Sequence, residues 1–363
     1  MKFLKKLKFF YKVCAFMVIA ILFSCGGGSD QNDDLTLTPS NLAVNTEIVG
    51  VSASNPNGDG SGIVNFNISA TNASSYKILF GNGETKEVTN GSFSYTYTGS
   101  GLNTFVIYVS AYNLSEFVST SKSITIFITQ KALWSDEFNG NESLDGSKWV
   151  YDIGTGSGGW GNGEAQYYTD RTDNVKIENG ILKITAKKEN FSGSAYTSAR
   201  IKTQGKFDFK YGKVEVKAKL PTGVGTWPAI WMLGSNITSV GWPACGEVDI
   251  MEHVGKRQGW ISSAMHTPSS YGGTINHGEQ YFDNVSTAFH IYALEWTSEK
   301  MVFSVDGKVH YTYNPATKNS STWPFNANQF IILNVAMGGG FGGTIDSSFN
   351  ESTMEIEYVR VYQ

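Results

Sequence analysis

One segment of the chain reads Gly246-Glu247-Val248-Asp249-Ile250-Met251-Glu252. In a β-strand, where side chains alternate between two faces, Glu247 and Asp249 share one face and the apolar residue after each of them lies on the other. Glu252 comes five positions after Glu247, so a regular strand would turn its carboxylate toward the apolar face. Because burying a carboxylate among apolar side chains is costly, we predict one extra residue, a β-bulge, near Ile250-Met251. The bulge would return Glu252 to the face of the other two acids.

Three carboxylates along one strand face predict acid–base chemistry in a groove. Four effective steps separate Glu247 from Glu252, about 13 Å between Cα atoms, and side chains leaning together would bring their carboxyl groups within about 5–6 Å. This separation suits a glycosidase that retains the anomeric configuration, since an inverting enzyme needs a wider gap for water. Like charges this close cannot all ionise, so one proton should be held at neutral pH, as a general acid requires. From spacing alone, a solvated strand face with scattered acids explains the segment equally well.

The sequence around this segment predicts one large domain of strands over residues 131–363. No amphipathic pattern long enough for a substantial helix occurs there. Strand-like alternation recurs throughout, at 180–186, 212–218, 289–296, 301–306 and 354–362. We therefore predict an all-β domain built as an antiparallel two-sheet sandwich.

A smaller β-sandwich is predicted to precede it, over residues 41–130. Short alternating runs with turn-forming residues between them occur at 63–68, 76–80, 92–97, 105–109 and 124–128. This spacing is typical of an immunoglobulin-like sandwich. The stretch Phe80-Gly81-Asn82-Gly83 resembles the polycystic-kidney-disease (PKD) domain, in which Asp is usual at the place of Asn82. No acids cluster there with His or Ser, so we expect a spacer or accessory role.

The first 24 residues are typical of an export signal, with basic residues before the apolar run 13–23. Ser24-Cys25 resembles a bacterial lipobox, which implies that Cys25 carries a lipid and that residues 25–40 form a flexible tether. Acidic residues soon after Cys25 resemble the surface-export pattern of Bacteroidetes lipoproteins. We expect the protein at the outer membrane or cell surface; an uncleaved membrane anchor is the alternative.

Composition restricts the partners of the chain. Charged residues make up 17% of the sequence, against roughly 25% in an average soluble protein. The 49 aromatic residues (9 Trp, 18 Tyr and 22 Phe) and 40 glycines suit a β-rich protein with a neutral ligand that has faces to stack on. A net charge of −4 without a basic stripe argues against nucleic acid as a partner.

Removal of Cys14 with the signal and lipidation of Cys25 would leave Cys245 as the remaining thiol, so we predict no internal disulfide. We expect a monomer.

The segment 247–252 matches the signature of glycoside hydrolase family 16, in the bulged form with an extra Met found in laminarinase-like members. The resemblance extends over the second domain, through residues 134–138, 161–169, 198–201, 225–232 and 358–362. It implies a concanavalin-like jelly-roll sandwich with a concave cleft and retaining hydrolysis of a β-linked polysaccharide. It also implies that Glu247 is the nucleophile, that Asp249 tunes it and that Glu252 is the acid/base, with no cofactor for catalysis.

The same resemblance implies a set of sugar-binding residues. Positions that bind sugar hydroxyls, stack on sugar rings or place a histidine in the cleft correspond here to Asn162, Arg200, Trp227, Trp231, Trp242 and His266. Each has a plainer interpretation: core packing for a tryptophan, a surface ion pair for the arginine and a structural role for the histidine.

Family members often hold a structural calcium ion through two backbone carbonyls and a late Asp. The matching positions are Glu137, Gly180 and Glu357. Glu replaces the usual Asp at the last of these, and a longer carboxylate can still bind calcium.

We therefore expect an endo-acting β-1,3-glucanase on laminarin-like glucans. The alternatives are another specificity on the same fold (agarase, porphyranase, carrageenase or mixed-linkage glucanase) and a non-catalytic glucan-binding protein. Enzymes for sulfated galactans should show more basic residues in the cleft, where only Arg200 stands out.

Overall fold

The computed structural model of the protein describes residues 37–140 and 142–363. The chain divides between Thr129 and Gln130 into two compact units, which are described separately. The predicted export segment, Cys25 and most of the predicted tether lie outside the described residues. Within the part of the chain that is described, no helix is long and apolar enough to span a membrane.

The first unit consists of two small antiparallel sheets around one core. Its strands are β1 (Ser40–Ile48), β2 (Ile63–Thr71), β3 (Ser75–Leu79), β4 (Thr85–Val88), β5 (Ser92–Thr96), β6 (Gly101–Asn113) and β7 (Glu116–Ile128). The sheets have the orders β1-β2-β5 and β4-β3-β6-β7. The core takes alternate side chains from both sheets, such as Phe66 of β2 and Ile107 of β6. Its assignment as an immunoglobulin-like or PKD domain stays a prediction.

The second unit is also built from strands, with only short helical turns among the described residues. The turns are at Gly159–Gly163, Gly255–Arg257, α1 (Ile237–Val240) and α2 (Gly339–Gly342). The strands are β8 (Trp134–Asp136), β9 (Val150–Asp152), β10 (Gln166–Tyr168), β11 (Val175–Glu178), β12 (Ile181–Phe191), β13 (Ser194–Ser198), β14 (Arg200–Lys202), β15 (Gly212–Lys219), β16 (Thr226–Gly234), β17 (Glu247–His253), β18 (Trp260–His266), β19 (His277–Tyr281), β20 (His290–Trp296), β21 (Met301–Val305), β22 (Lys308–Tyr313), β23 (Gln329–Met337) and β24 (Glu351–Tyr362). The predicted all-β class is confirmed.

These strands form two sheets that enclose the main core. A ten-stranded sheet has the order β10-β13-β12-β24-β15-β20-β21-β22, with β11 paired to β12 and β8 paired to β24. A seven-stranded sheet has the order β19-β18-β17-β16-β23-β14-β9. Alternate residues of both sheets are buried in one cluster, for example Val214 of β15 and Ile230 of β16. The other face of the seven-stranded sheet carries the polar and aromatic side chains described in the next subsection.

The predicted β-bulge is confirmed on β17. On β16, Ile230 pairs with Met251 and the next residue, Trp231, pairs with Asp249, so Ile250 has no partner of its own. The pairing with β18 shows the same shift between Asp249 and Glu252. Both bulge residues are therefore buried in the core, and Glu252 lies on the opposite face.

The residue before β17 must be glycine, and this requirement can be tested. Gly246 has φ +76°, and an added Cβ would lie 2.6 Å from Cε1 of the buried Phe325 ring. We expect Gly246→Ala to lower the free energy of unfolding by about 2–4 kcal/mol, from left-handed strain together with overpacking.

Gly158→Ala is the matched control, because Gly158 is in the left-handed region (φ +60°, ψ +36°) and has no heavy atom within 4 Å of an added Cβ. It should cost only the conformational part, about 1 kcal/mol. Thermal or denaturant unfolding of residues 26–363 measures both variants, and equal losses would contradict the steric argument.

Candidate active site

The functional groups stand in a row across the seven-stranded sheet. Strand pairing places Asp152, Arg200, Asn334, Ala229, Glu252, Ser262 and Glu279 opposite one another, from β9 to β19. In a second row, Trp231 of β16 pairs with Asp249 of β17. Two residues earlier on β17, Glu247 pairs with His266 of β18. Because β17 is the third of the seven strands, next to the central strand β16, its three acids lie near the middle of the face.

Burial raises the pKa values of all three acids, and repulsion by neighbouring carboxylates adds to this effect for the two glutamates. Removal from water is the main cause for Glu247, and the neighbouring charges of Asp249 and Glu252 add to it. Asp249, whose residue is only 4% exposed, has a raised pKa through burial. Burial and the charge of Asp249 also raise the pKa of Glu252, to about 8. The trio therefore holds at least one proton at neutral pH, as the sequence predicted for a general acid.

Each of the two glutamates accepts a hydrogen bond from a different indole. Trp242 Nε1 donates to Glu247 Oε2 over 2.8 Å, and Trp227 Nε1 donates to Glu252 Oε1 over 2.9 Å. These bonds favour the ionised carboxylates and partly offset the effect of burial. Both tryptophans were predicted to stack on sugar rings, and the structure gives them this second role of fixing the carboxylates.

His266 is oriented by a backbone amide and points its other nitrogen at the acids. Gly272 N–H donates to Nδ1 over 3.1 Å, so Nδ1 is an acceptor and the proton resides on Nε2. That nitrogen lies 3.1 Å from Asp249 Oδ2 and 3.7 Å from Glu247 Oε1. The three side chains are close enough to hold a metal ion. Although Nε2 lies near it, the buried Asp249 Oδ2 accepts no hydrogen bond of normal geometry from the described residues.

On one side of the acids, which we name the Trp231 side, the groove is lined by the rings of Trp160 and Trp231 with Arg200 between them. The Arg200 guanidinium lies over both Trp160 and Trp231, with its carbon 4.7 Å from each ring centre. Asp152 Oδ2 lies 2.9 Å from Arg200 Nε. Asn334 and Ala336 complete this wall. Arg200 is thus both ion-paired and part of the groove, which combines the two interpretations of this residue.

A chain of hydrogen bonds supports the Trp231 side from below. Trp231 Nε1 donates to Asn334 Oδ1 over 2.7 Å, and Asn334 Nδ2 donates to the Tyr168 hydroxyl over 3.0 Å. That hydroxyl donates to Glu164 Oε2, and Asn162 donates to the other oxygen of Glu164. The orientation of the Trp231 ring is therefore linked to the loop that presents Asn162.

The other side of the acids, which we name the His277 side, holds a second arginine–carboxylate pair. Arg257 donates two hydrogen bonds to Glu279, at 2.9 and 3.0 Å. His277 and the ring of Phe341 line the same space with His266. Glu247 and Glu252 border both sides, so the groove continues past the acids in two directions.

The sequence profile of glycosyl hydrolases family 16 matches residues 162–360. The chain belongs to this family. A β-glucanase of Rhodothermus marinus is 41% identical over 244 residues, covering 64% of this chain and 84% of the relative. The crystal structure of a laminarinase from Flavobacterium sp. UMI-01 aligns with a TM-score of 0.61 and 47% identity, covering 64% of this chain and 100% of that chain. A keratan-sulfate endo-1,4-β-galactosidase of Sphingobacterium multivorum is 34% identical over 238 residues, covering 64% of this chain and 54% of the relative.

The protein is thus a glycoside hydrolase, and the second unit has the jelly-roll fold of family 16. The structure gathers every residue predicted for catalysis or sugar binding around one groove: Asn162, Arg200, Trp227, Trp231, Trp242, Glu247, Asp249, Glu252 and His266. Their individual roles stay predictions.

Several groove residues were not predicted. Asn334 could have been noticed, because it is a buried polar residue in the otherwise apolar centre of β23. Trp160 and Glu164 flank the predicted Asn162 on the same loop. Arg257 has no comparable signal, since a lone surface arginine is ordinary in any sequence.

The residues matched to a calcium site carry ion pairs instead. Arg360 donates two hydrogen bonds to Glu137, at 2.9 and 2.7 Å, and Lys217 Nζ lies 2.8 Å from Glu357 Oε2. Gly180 is in the turn between β11 and β12. The Glu357 carboxylate, which would bind the calcium ion beside the two backbone carbonyls, is paired with Lys217. Calcium at these positions stays a prediction.

The raised pKa of Glu252 makes stability depend on pH with a definite sign. The folded protein binds this proton more tightly than the unfolded chain, so Glu252 lowers the free energy of unfolding as pH rises from 4.5 towards about 8. Glu252→Gln does not titrate and keeps an oxygen for Trp227. We expect it to stabilise the protein by about 1–2 kcal/mol at pH 8 and by less at pH 5.

Denaturant unfolding at the two pH values measures this difference. Glu279→Gln is the control of opposite sign, because the hydrogen bonds from Arg257 lower the pKa of Glu279. It should not stabilise the protein at pH 8. A gain from Glu252→Gln that does not grow between pH 5 and pH 8 would contradict the raised pKa.

Proposed function

We propose that the protein is a retaining endo-β-1,3-glucanase that hydrolyses laminarin-like glucans. The observation that carries this proposal is the bulged strand β17, which sets three carboxylates on one face with His266 beside Asp249. The names of two relatives, a β-glucanase and a laminarinase, support the substrate class.

The proposed mechanism uses two displacements at the anomeric carbon. Glu247 attacks this carbon as its carboxylate while Glu252, protonated, gives its proton to the departing glycosidic oxygen. The product of this step is a glycosyl ester on Glu247. Glu252, now ionised, takes a proton from water, which attacks the same carbon and releases Glu247. Between the two steps Glu247 is a neutral ester. Before the attack and after its release, His266 favours the ionised form of this carboxylate and Asp249 opposes it.

The cations of the groove support a neutral substrate. Arg257 is ion-paired with Glu279, and Arg200 is ion-paired with Asp152, which Lys202 also contacts. This set therefore leaves only one positive charge unmatched by a carboxylate for a sulfate group to bind. Trp242 is 46% exposed and presents a flat apolar surface of the kind that packs against the C–H face of a sugar ring.

The extent of the groove supports cleavage within a glucan chain. The Trp231 side and the His277 side both adjoin the acids, so sugar units could bind on either side of the bond to be cleaved. The relative named as a keratan-sulfate endo-1,4-β-galactosidase makes another glycan on the same site the second candidate.

The activity test follows reducing-end release by residues 26–363 from laminarin, with agarose, carrageenan, mixed-linkage glucan and keratan sulfate in parallel. We expect short oligosaccharides from laminarin and, by NMR, products that first appear with the β configuration. Glu247→Ser should lower turnover at least about 10³-fold, because the nucleophile is lost.

Three other results would change the assignment. Activity on a galactan alone would keep the two glutamates and replace the substrate. Unchanged turnover in Glu247→Ser would contradict the catalytic assignment. A folded protein that only binds glucan would favour the non-catalytic alternative.

We also propose that Cys25 carries a lipid that anchors a monomeric enzyme at the outer membrane or cell surface. The support is the sequence of the export segment and the Ser24-Cys25 junction. The full chain, expressed in a bacterium that processes lipoproteins, should separate with the membrane fraction and incorporate labelled palmitate. Cys25→Ala should abolish the labelling, and labelling that persists in this variant would contradict the proposal.

A further inference from the structure

The backbone carbonyl of Ile250, in the bulge on β17, accepts a hydrogen bond from a side chain of β18. Opposite Ile250 and Met251, β18 supplies a single residue, Ser263, between the pairs Asp249–Ala264 and Glu252–Ser262. Ser263 Oγ donates to the carbonyl oxygen of Ile250 over 2.8 Å. Ser263 is 0% exposed and Ile250 1% exposed, so water does not replace this bond.

A histidine from the opposite sheet completes this contact. His310 Nε2, on β22 of the ten-stranded sheet, lies 2.9 Å from Ser263 Oγ. The hydroxyl proton of Ser263 is used on the Ile250 carbonyl, so Nε2 must be the donor and carry the ring proton. Burial lowers the pKa of His310 to about 4, which keeps this neutral form at higher pH. The bonds thus run across the core, from His310 through Ser263 to the bulge.

We propose that Ser263 and His310 are positioning residues that hold the β-bulge and thereby place the Glu252 carboxyl group over the glycosidic oxygen. The inference rests on the proposed acid/base role of Glu252. A one-residue change of register turns every side chain of a strand to its other face. Glu252 therefore faces the groove because of the bulge, and without the bulge it would face the core. An unbonded Ile250 carbonyl in the core would favour a shift of the bulge along β17.

Apolar side chains surround the Ser263–His310 pair. The neighbours of Ser263 on the same face of β18 are Ile261 and Met265, both 0% exposed. The ring of Phe282 packs edge-on against His310, with centroids 6.0 Å apart. A buried serine and a half-buried histidine in such a setting destabilise the core unless their hydrogen bonds are made. The bond to the bulge supplies that compensation.

The test separates placement of the acid from general loss of structure. In Ser263→Ala, kcat/KM on laminarin should fall about 10- to 100-fold, part of the effect that general acid catalysis contributes. On 2,4-dinitrophenyl β-laminaribioside, whose leaving group needs no proton, kcat/KM should stay within about 3-fold of the wild type. Azide, which replaces the base-activated water, should raise kcat on this substrate in the variant and not in the wild type.

Two reference variants make the outcome decisive. Glu252→Gln should show the same pattern more strongly; if it does not, the proposed role of Glu252 fails. If Glu252→Gln shows the pattern and Ser263→Ala loses both substrates equally, the positioning inference is overturned while the proposed function stands. Val361→Ala, a core truncation on β24 away from this pair, should leave both kcat/KM values and the azide response unchanged.

His310→Phe tests the pair from the opposite sheet and decides the matter if Ser263→Ala does not fold. In this variant the Ser263 hydroxyl still bonds to the Ile250 carbonyl but loses the hydrogen bond from His310. We therefore expect a smaller effect: kcat/KM on laminarin should fall about 3- to 10-fold, and kcat/KM on the aryl glycoside should not change. In Ser263→Ala/His310→Phe the losses should not multiply, because both act through one contact. Multiplying losses would overturn the pairing of the two residues.

Discussion

The active site of this protein depends on the cost of burying one carboxylate. A strand exposes side chains with a strict period of two, and Glu252 stands at an odd distance from Glu247. In a regular strand Glu252 would therefore face the core. Because Ile250 has no pairing partner on β16, both Ile250 and Met251 are buried in the core and Glu252 faces the groove. The position of the proposed acid/base is thus a property of backbone register as much as of its own side chain.

Once the three acids share a face, their electrostatics determine what surrounds them. Burial and mutual repulsion favour protonated forms, whereas the proposed chemistry needs one carboxylate ionised and one protonated. The structure supplies one indole N–H to each glutamate and places Nε2 of His266 3.1 Å from Asp249 Oδ2. Neutral donors can stabilise a carboxylate without adding charge, which keeps the groove suited to a neutral polysaccharide.

Support for the groove comes from residues that do not face the proposed substrate. The bonds from Trp231 through Asn334 and Tyr168 to Glu164 connect an aromatic wall to the loop that carries Asn162. On the other side of β17, the Ser263–His310 pair connects the bulge to the opposite sheet. Both sets are buried polar contacts whose loss leaves unsatisfied groups, so each restrains the groove to one arrangement.

The sequence by itself determined the all-β class, the bulge and the acids on one strand face, because all three follow from period-two alternation and the cost of a buried charge. It also indicated the family through motifs that recur along the second domain. Tertiary structure alone decided which strands meet and therefore which side chains pair. Nothing in the local sequence could show that Trp227 bonds to Glu252, that Asp152 pairs with Arg200, or that His310 reaches Ser263 from the other sheet. These contacts join residues far apart in the chain, and sheet order and register, not local propensity, bring them together.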